Sequence, residues 1–279
     1  MRTKLLNLAL AVTLSSAALI ANAAPTYTFS ILESEPDWGN GIDLTSYNNQ
    51  LSRPAGPSGK ATAYDINSFG ALVGNVSPND GIEIFAALWS TYNAPYIQLL
   101  SIGGTGKEGE AYEINNSGNI VGYSQNASNV YQATLWTSNN PNSPTHLQSL
   151  GGVDKAGRAF EINDSGKIVG LSYDTNTTDY YLAATANTKA TLWDGTNVID
   201  LNTYLDTSNN PDGWVLNGAY RIDNDGSIYG EAFKSTLNES KYFLLQSVNP
   251  VPEADTSAML LMGAGVMGFM ARRRKQVAA

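Results

Sequence analysis

Few side chains in this sequence are able to do chemistry, and they are unevenly spread. His146 is the only histidine and there is no cysteine. That leaves no thiol nucleophile, no disulfide and no cysteine-based metal site. The lone histidine has no zinc or triad partner at a recognisable spacing, and neither H-E-x-x-H nor a G-x-S-x-G elbow occurs. Carboxylates remain. Two acids about 5–9 Å apart can hydrolyse a glycosidic bond, and Asp65, Glu113 and Glu161 stand at matching places of a repeated phrase. An active site normally departs from a repeat, so these three read first as architecture. In DNDGS (223–227), Asp223 and Asp225 sit beside a glycine as at the opening of a Ca²⁺ loop, but the closing glutamate is missing at the required spacing. NNSGN and NDSGK fill the same place in other repeats, so a turn rich in Asx residues is the plainer reading. Ca²⁺ is the one cofactor the sequence suggests, and no metal set is expected.

GGTGKEG (103–109) imitates a phosphate loop, yet Glu108 follows Lys107 where Ser or Thr is needed, and GGVDKAG (151–157) repeats the same loop. Trp89, Trp136 and Trp193 recur in register and are expected in the strand core. Trp38 and Trp214 fall out of register. With Tyr180, Tyr181 and Tyr204 near the insertions, they are the candidates for a sugar-stacking surface.

The elements that would position these residues come from the repeat. AYDINSFGALVG starts at Ala63, AYEINNSGNIVG at Ala111, AFEINDSGKIVG at Ala159 and AYRIDNDGSIYG at Ala219, with spacings of 48, 48 and 60 residues. AALW, ATLW and ATLW follow, then IQLLSIGG, LQSLGG and VIDLNTYL. The longer third spacing holds polar insertions around 174–186 and 206–213. AYEIN reads as an alternating strand, with Tyr112 and Ile114 on one face and Glu113 and Asn115 on the other. An Asn three residues before a Gly predicts a tight hairpin, with Gly70, Gly118, Gly166 and Gly226 in the left-handed position. HLQSL, beginning at His146, is expected as a fourth strand. Four strands in roughly 48 residues make a blade-sized sheet that cannot bury both faces alone. The expected fold is all-β and propeller-like, with four blades of about four strands. The strand in TYTFSILES (26–34) would complete the last blade. Five blades, with 35–62 degenerate, and an open β-solenoid are the alternatives.

Both ends carry signals. Arg2 and Lys4, an apolar run from Leu5 to Ile20, and Ala21-Asn22-Ala23 read as a secretory signal peptide over 1–23, cleaved after Ala23. The repeat body is placed at 24–250. At 251–279, a turn at Val251-Pro252-Glu253 leads to an apolar stretch at about 257–271, short for a transmembrane helix. The cluster Arg272-Arg273-Arg274-Lys275 then stays cytoplasmic at the inner membrane. Residues 24–253 contain 10 basic and 24 acidic side chains, a net charge of −14. Such a body repels nucleic acid and anionic lipid.

Pro-Glu, a Gly-rich apolar segment and an arginine run at the C-terminus resemble a PEP-CTERM sorting signal. Ala254 replaces the usual second proline. The resemblance implies a Gram-negative, exopolysaccharide-making producer, an exosortase as processing partner, transient membrane anchoring, and release to the cell surface or matrix. The AxxINxxGxIVG phrase, the Ala-x-Leu-Trp strand and the Leu-Gly-Gly end are similar to the HAF family of bacterial extracellular repeats. That family carries no catalytic residues over to this chain. The expected role is therefore non-catalytic: an exported protein that binds or structures exopolysaccharide in a biofilm. The alternatives are a glycan-active hydrolase and a protein-interaction scaffold.

Overall fold

The computed structural model describes residues 26–36, 44, 48, 50–53, 59–79, 82–173 and 188–248. The expected signal peptide, sorting motif and transmembrane segment lie outside these residues. Among the described residues, no helix is long and apolar enough to cross a membrane.

The described residues form sixteen strands and one short 3₁₀ helix, Leu201–Tyr204. β1 spans Thr26–Leu32 and stands apart from the first repeat. Unit 1 comprises β2 (Lys60–Ile66), β3 (Leu72–Ser77), β4 (Phe85–Trp89) and β5 (Ile97–Gln98). Unit 2 comprises β6 (Gly109–Ile114), β7 (Asn119–Gln125), β8 (Tyr131–Thr137) and β9 (Asn140–His146). Unit 3 comprises β10 (Gly157–Ile162), β11 (Ile168–Tyr173), β12 (Thr188–Asp194) and β13 (Asn197–Asp200). Unit 4 has β14 (Val215–Ile222), β15 (Ile228–Lys234) and β16 (Glu239–Val248). Each unit is a four-stranded antiparallel sheet, and β1 pairs with β16 to complete the fourth, as expected.

Three local rules explain the repeated phrase. First, the turn: Gly118 has φ +77° and donates to the Asn115 carbonyl at 3.0 Å, while the Asn115 amide oxygen accepts from Ser117 and Asn119 N–H groups. Second, a bulge: Ala111 pairs with Gly122 and Glu113 with Val121, so Tyr112 is an extra residue. The same shift falls at Tyr64, Phe160 and Tyr220. The simple alternation expected for AYEIN is therefore broken. Ile114 enters the core, while Tyr112 stays half-buried outside it. Third, the glycine of IVG: a Cβ on Gly122 would lie 1.9 Å from the Glu110 carbonyl, and Gly170 has the same conflict with Arg158. The bulge brings two backbones so close that only glycine fits.

Packing is serial. Val73, Ala86 and Leu88 of unit 1 bury against Ala111, Ile114, Ile120 and Trp136 of unit 2. Val121 and Ala133 of unit 2 meet Ala159, Ile162, Ile168 and Trp193 of unit 3. Val169, Ala190 and Leu192 then meet Ala219, Ile222 and Ile228 of unit 4. The recurring tryptophans Trp89, Trp136 and Trp193 are buried, as expected. Each indole donates to a backbone carbonyl of the segment before its unit: Ser52, Leu100 and Gln148 respectively. Leu51, Leu99 and Leu147 stand 48 residues apart and are all buried. The chain around Leu51 thus covers unit 1 as the tail of a preceding unit would. Leu44 lies in the same cluster.

Two further expectations change. The fourth strand of unit 2 is Asn140–His146, not HLQSL, because Leu147 turns inward beneath β8, donating to the Ala133 carbonyl. The closed four-bladed ring is not established. Strand contacts run from β2 to β6 to β10 to β14, and among the described residues no comparable contact returns from β14 to β2.

Candidate functional site

The turns after β2, β6, β10 and β14 face one polar cavity of about 340 Å³. Its lining repeats with the sequence. Asp65, Glu113, Glu161 and Arg221 occupy one equivalent position, and Asn67, Asn115, Asn163 and Asp223 another. Three carboxylates that read along the chain as architecture are thereby gathered around a shared space, opposite the Arg221 guanidinium. The signal that could have found them was the spacing itself, since equivalent residues of packed units become neighbours.

The first strand of each unit is a sheet edge, with N–H groups that no neighbouring strand pairs. In units 2 and 4, a carboxylate of the preceding unit accepts from one of them. The Asp65 Oδ2 accepts from the Ile114 N–H at 2.9 Å, and the Glu161 Oε2 accepts from the Ile222 N–H at 2.8 Å. The turn asparagines extend this series. Asn67 Nδ2 donates to the Asn115 carbonyl at 3.3 Å, Asn115 to the Asn163 carbonyl at 3.0 Å, and Asn163 to the Asp223 carbonyl at 3.1 Å. One residue further on, Ser68 N–H donates to Asn116, Asn116 N–H to Asp164, and Asp164 N–H to Asn224.

Burial decides the charge state. Removal from water raises Glu113 from 4.5 to about 9, helped by the charges of Asp65 and Glu161 and by its hydrogen bond to Asp65. Glu113 is therefore neutral at pH 7 and donates to the Asp65 carboxylate. Asp65 is itself raised by burial, against the lowering effect of the Ile114 N–H. Glu161 is raised to about 7 by burial, opposed by the Ile222 N–H and by Arg221. A protonated acid beside a half-titrated one is a pattern that acid–base sites share.

The other candidate residues are placed differently. Trp214 is 7% exposed within the core cluster of units 3 and 4, with Lys234 Nζ 5.6 Å from its ring. Tyr204 packs at 4.7 Å on Tyr27 beside the same cluster. Trp38, Tyr180 and Tyr181 lie outside the described residues. Asp223 pairs with Arg221 at 2.9 Å, and Asp225 accepts from the Ser227 N–H in an Asx turn. Among the described residues, no group of three or more acids, histidines or cysteines is arranged to hold a metal. The phosphate-loop imitation is a structural joint: Ser101 Oγ donates to the Lys107 carbonyl, as Ser149 Oγ does to that of Lys155.

Residues 250–275 match the family model for the PEP-CTERM protein-sorting motif. The match begins two residues after β16 ends and does not reach the repeat units. No curated protein and no solved structure matches the chain. The sorting motif implies an exported protein, anchored transiently in the membrane and then secreted, with an exosortase as its processing partner.

Proposed function

We propose that the repeat body is the cargo of this sorting signal, delivered to the surface or matrix of a Gram-negative cell, where it binds exopolysaccharide without cleaving it. The observation that carries this reading is the position of the motif: it follows the last strand directly, so cutting near Pro252-Glu253 would release every described unit intact. The rest of the chain is consistent with that role. The repeats resemble HAF extracellular units, the cavity wall is dense in amides and carboxylates suited to hydroxyl partners, and the acids there are already engaged in holding the units together.

A pull-down of the exported protein with the producer's own exopolysaccharide, in Ca²⁺ and in EDTA, tests the reading while released sugar is assayed. Saturable retention without released sugar is expected, and retention in both buffers follows from the engagement of Asp223 and Asp225 elsewhere. No retention in either buffer contradicts the glycan role and favours a protein scaffold.

A second reading rests on a specific feature. Glu113, held protonated, shares a cavity with the carboxylate of Asp65 and with Glu161 near neutrality, which is the acid–base division of a glycosidase. Released sugar that disappears in both Glu113→Gln and Glu161→Gln would establish it.

A further inference from the structure

The bulge residues raise a question that the sheets do not answer. Tyr64, Tyr112, Phe160 and Tyr220 are each expelled from the strand register. Phe160 leans on the small cluster of Val130, Ala156, Leu171 and Tyr173, and the Tyr112 ring lies 5.7 Å from the buried Tyr123 ring, so the protein steadies these rings from beneath. All four bulge residues are aromatic. They touch in series, with ring centroids 5.9 Å apart from Tyr64 to Tyr112, 5.8 Å to Phe160 and 5.3 Å to Tyr220. Tyr64 is 41% exposed and the other three are half-buried. The result is a continuous aromatic strip across all four units, one residue before Asp65, Glu113, Glu161 and Arg221 of the cavity wall.

The end rings are held in place by acids. The Tyr64 hydroxyl donates to Glu110 Oε1 at 3.2 Å and accepts from Asn75 Nδ2 at 2.6 Å, while Asn75 also donates to Glu110 at 2.9 Å. Glu110 is only 3% exposed, so it orients the ring. The Tyr220 hydroxyl donates to Glu231 Oε2 at 3.3 Å. Rings fixed before a ligand arrives lose little freedom when it binds.

We infer that this strip is the glycan-binding surface, and that it takes an uncharged polysaccharide chain whose C–H faces stack on Tyr64, Tyr112, Phe160 and Tyr220. The inference rests on the glycan reading above and adds the site and the ligand class. Aromatic faces carry partial negative charge and attract the weakly positive C–H groups of a pyranose. Glu110 and Glu231 border the strip within a body of net charge −14, and like charges repel uronate polymers. The neutral chain is thereby selected over the acidic one.

Calorimetric titration of the full-length protein in detergent, with cellohexaose, laminarihexaose, mannohexaose and a polygalacturonate oligomer as probes, tests this. Wild type is expected to bind at least one neutral hexaose and not the polygalacturonate. Tyr64→Ala should weaken that binding by about tenfold or more, while Tyr64→Phe, which keeps the ring face, should stay within about threefold. Both variants should melt close to wild type, Tyr64 being the most exposed of the four. Tyr64→Ala and Tyr220→Ala proteins that bind a neutral hexaose as wild type does would overturn the site and leave the glycan reading standing. Binding of polygalacturonate alone would overturn the ligand class. Binding of none of the probes would overturn the inference, and if the native exopolysaccharide were also not retained, the glycan reading would fall with it.

Discussion

The joint between units 2 and 3 and the corresponding side of unit 4 are built from equivalent positions with different residues. At the joint, unit 2 presents Val121 and Ala133 to the next sheet, Asn115 donates its side-chain amide to the Asn163 carbonyl, and Asn116 N–H meets Asp164. In unit 4, the position of Val121 is Tyr229, that of Ala133 is Tyr242, and that of Asn115 is Asp223. The bulky tyrosines replace a flat packing face, and an aspartate has no N–H to pass on. Arg221 takes the place of the acid that, in units 1 and 3, grips the next edge strand, and it pairs with Asp223 instead. Unit 2 offers the next unit an apolar face and a side-chain amide donor, whereas unit 4 has two tyrosines and an aspartate at those positions. The fourth repeat therefore departs from the others at the positions by which one unit meets the next.

The contrast can be attacked by mutation. The largest effect is expected where every unit shares one steric requirement. Gly122→Val puts a side chain onto the Glu110 carbonyl, and a cost above about 4 kcal/mol, read as loss of a cooperative melt, follows from the overpacking. Next is Asn115→Asp, which gives unit 2 the terminal residue of unit 4. It removes a buried donor from the Asn163 carbonyl and adds a carboxylate beside the acids already in the cavity. Urea unfolding should show a loss of about 2–3 kcal/mol. The converse change, Asp223→Asn, weakens the half-exposed pair with Arg221 and leaves an amide oxygen to accept from Tyr229, so it should shift stability by about 0–1 kcal/mol. Equal losses from the two changes would erase the distinction between the joint and unit 4.

The cavity adds a pH dependence with a definite sign. Glu113 and Glu161 have folded-state values of about 9 and about 7, above the ordinary 4.5, so the folded chain holds protons that the unfolded chain releases. Their stabilisation is complete below pH 4.5 and is lost as the pH rises through 7 and then 9. Thermal melts should show the melting temperature falling between pH 5 and pH 9, and Glu113→Gln should flatten that slope. A melting temperature that climbs over the same window would place charged, not neutral, carboxyls in the cavity.

Much of this architecture could be read from the sequence because it is written four times. The 48-residue spacing, the glycines at 70, 118, 166 and 226 in the left-handed region, the buried tryptophans and the docking of β1 on β16 all follow from local patterns. Two things were hidden. The bulge at Tyr112 leaves a two-residue alternation looking intact, since an extra residue is visible only against the partner strand. That concealed the aromatic strip, which sequence register instead assigned to strand faces. The cavity was hidden for a related reason: Asp65, Glu113 and Glu161 look redundant along the chain, and only packing makes them neighbours. The fate of the ring was beyond local pattern altogether, because closure depends on how the first and last sheets meet.

The most direct measurement is the intact mass of the protein released by producing cells, with and without a functional exosortase. A chain ending near Pro252-Glu253, released only when the exosortase is active, is the predicted result. A released chain that still ends at Ala279, or the same truncated product in cells lacking the enzyme, would contradict the assignment of the repeat stack as exosortase cargo.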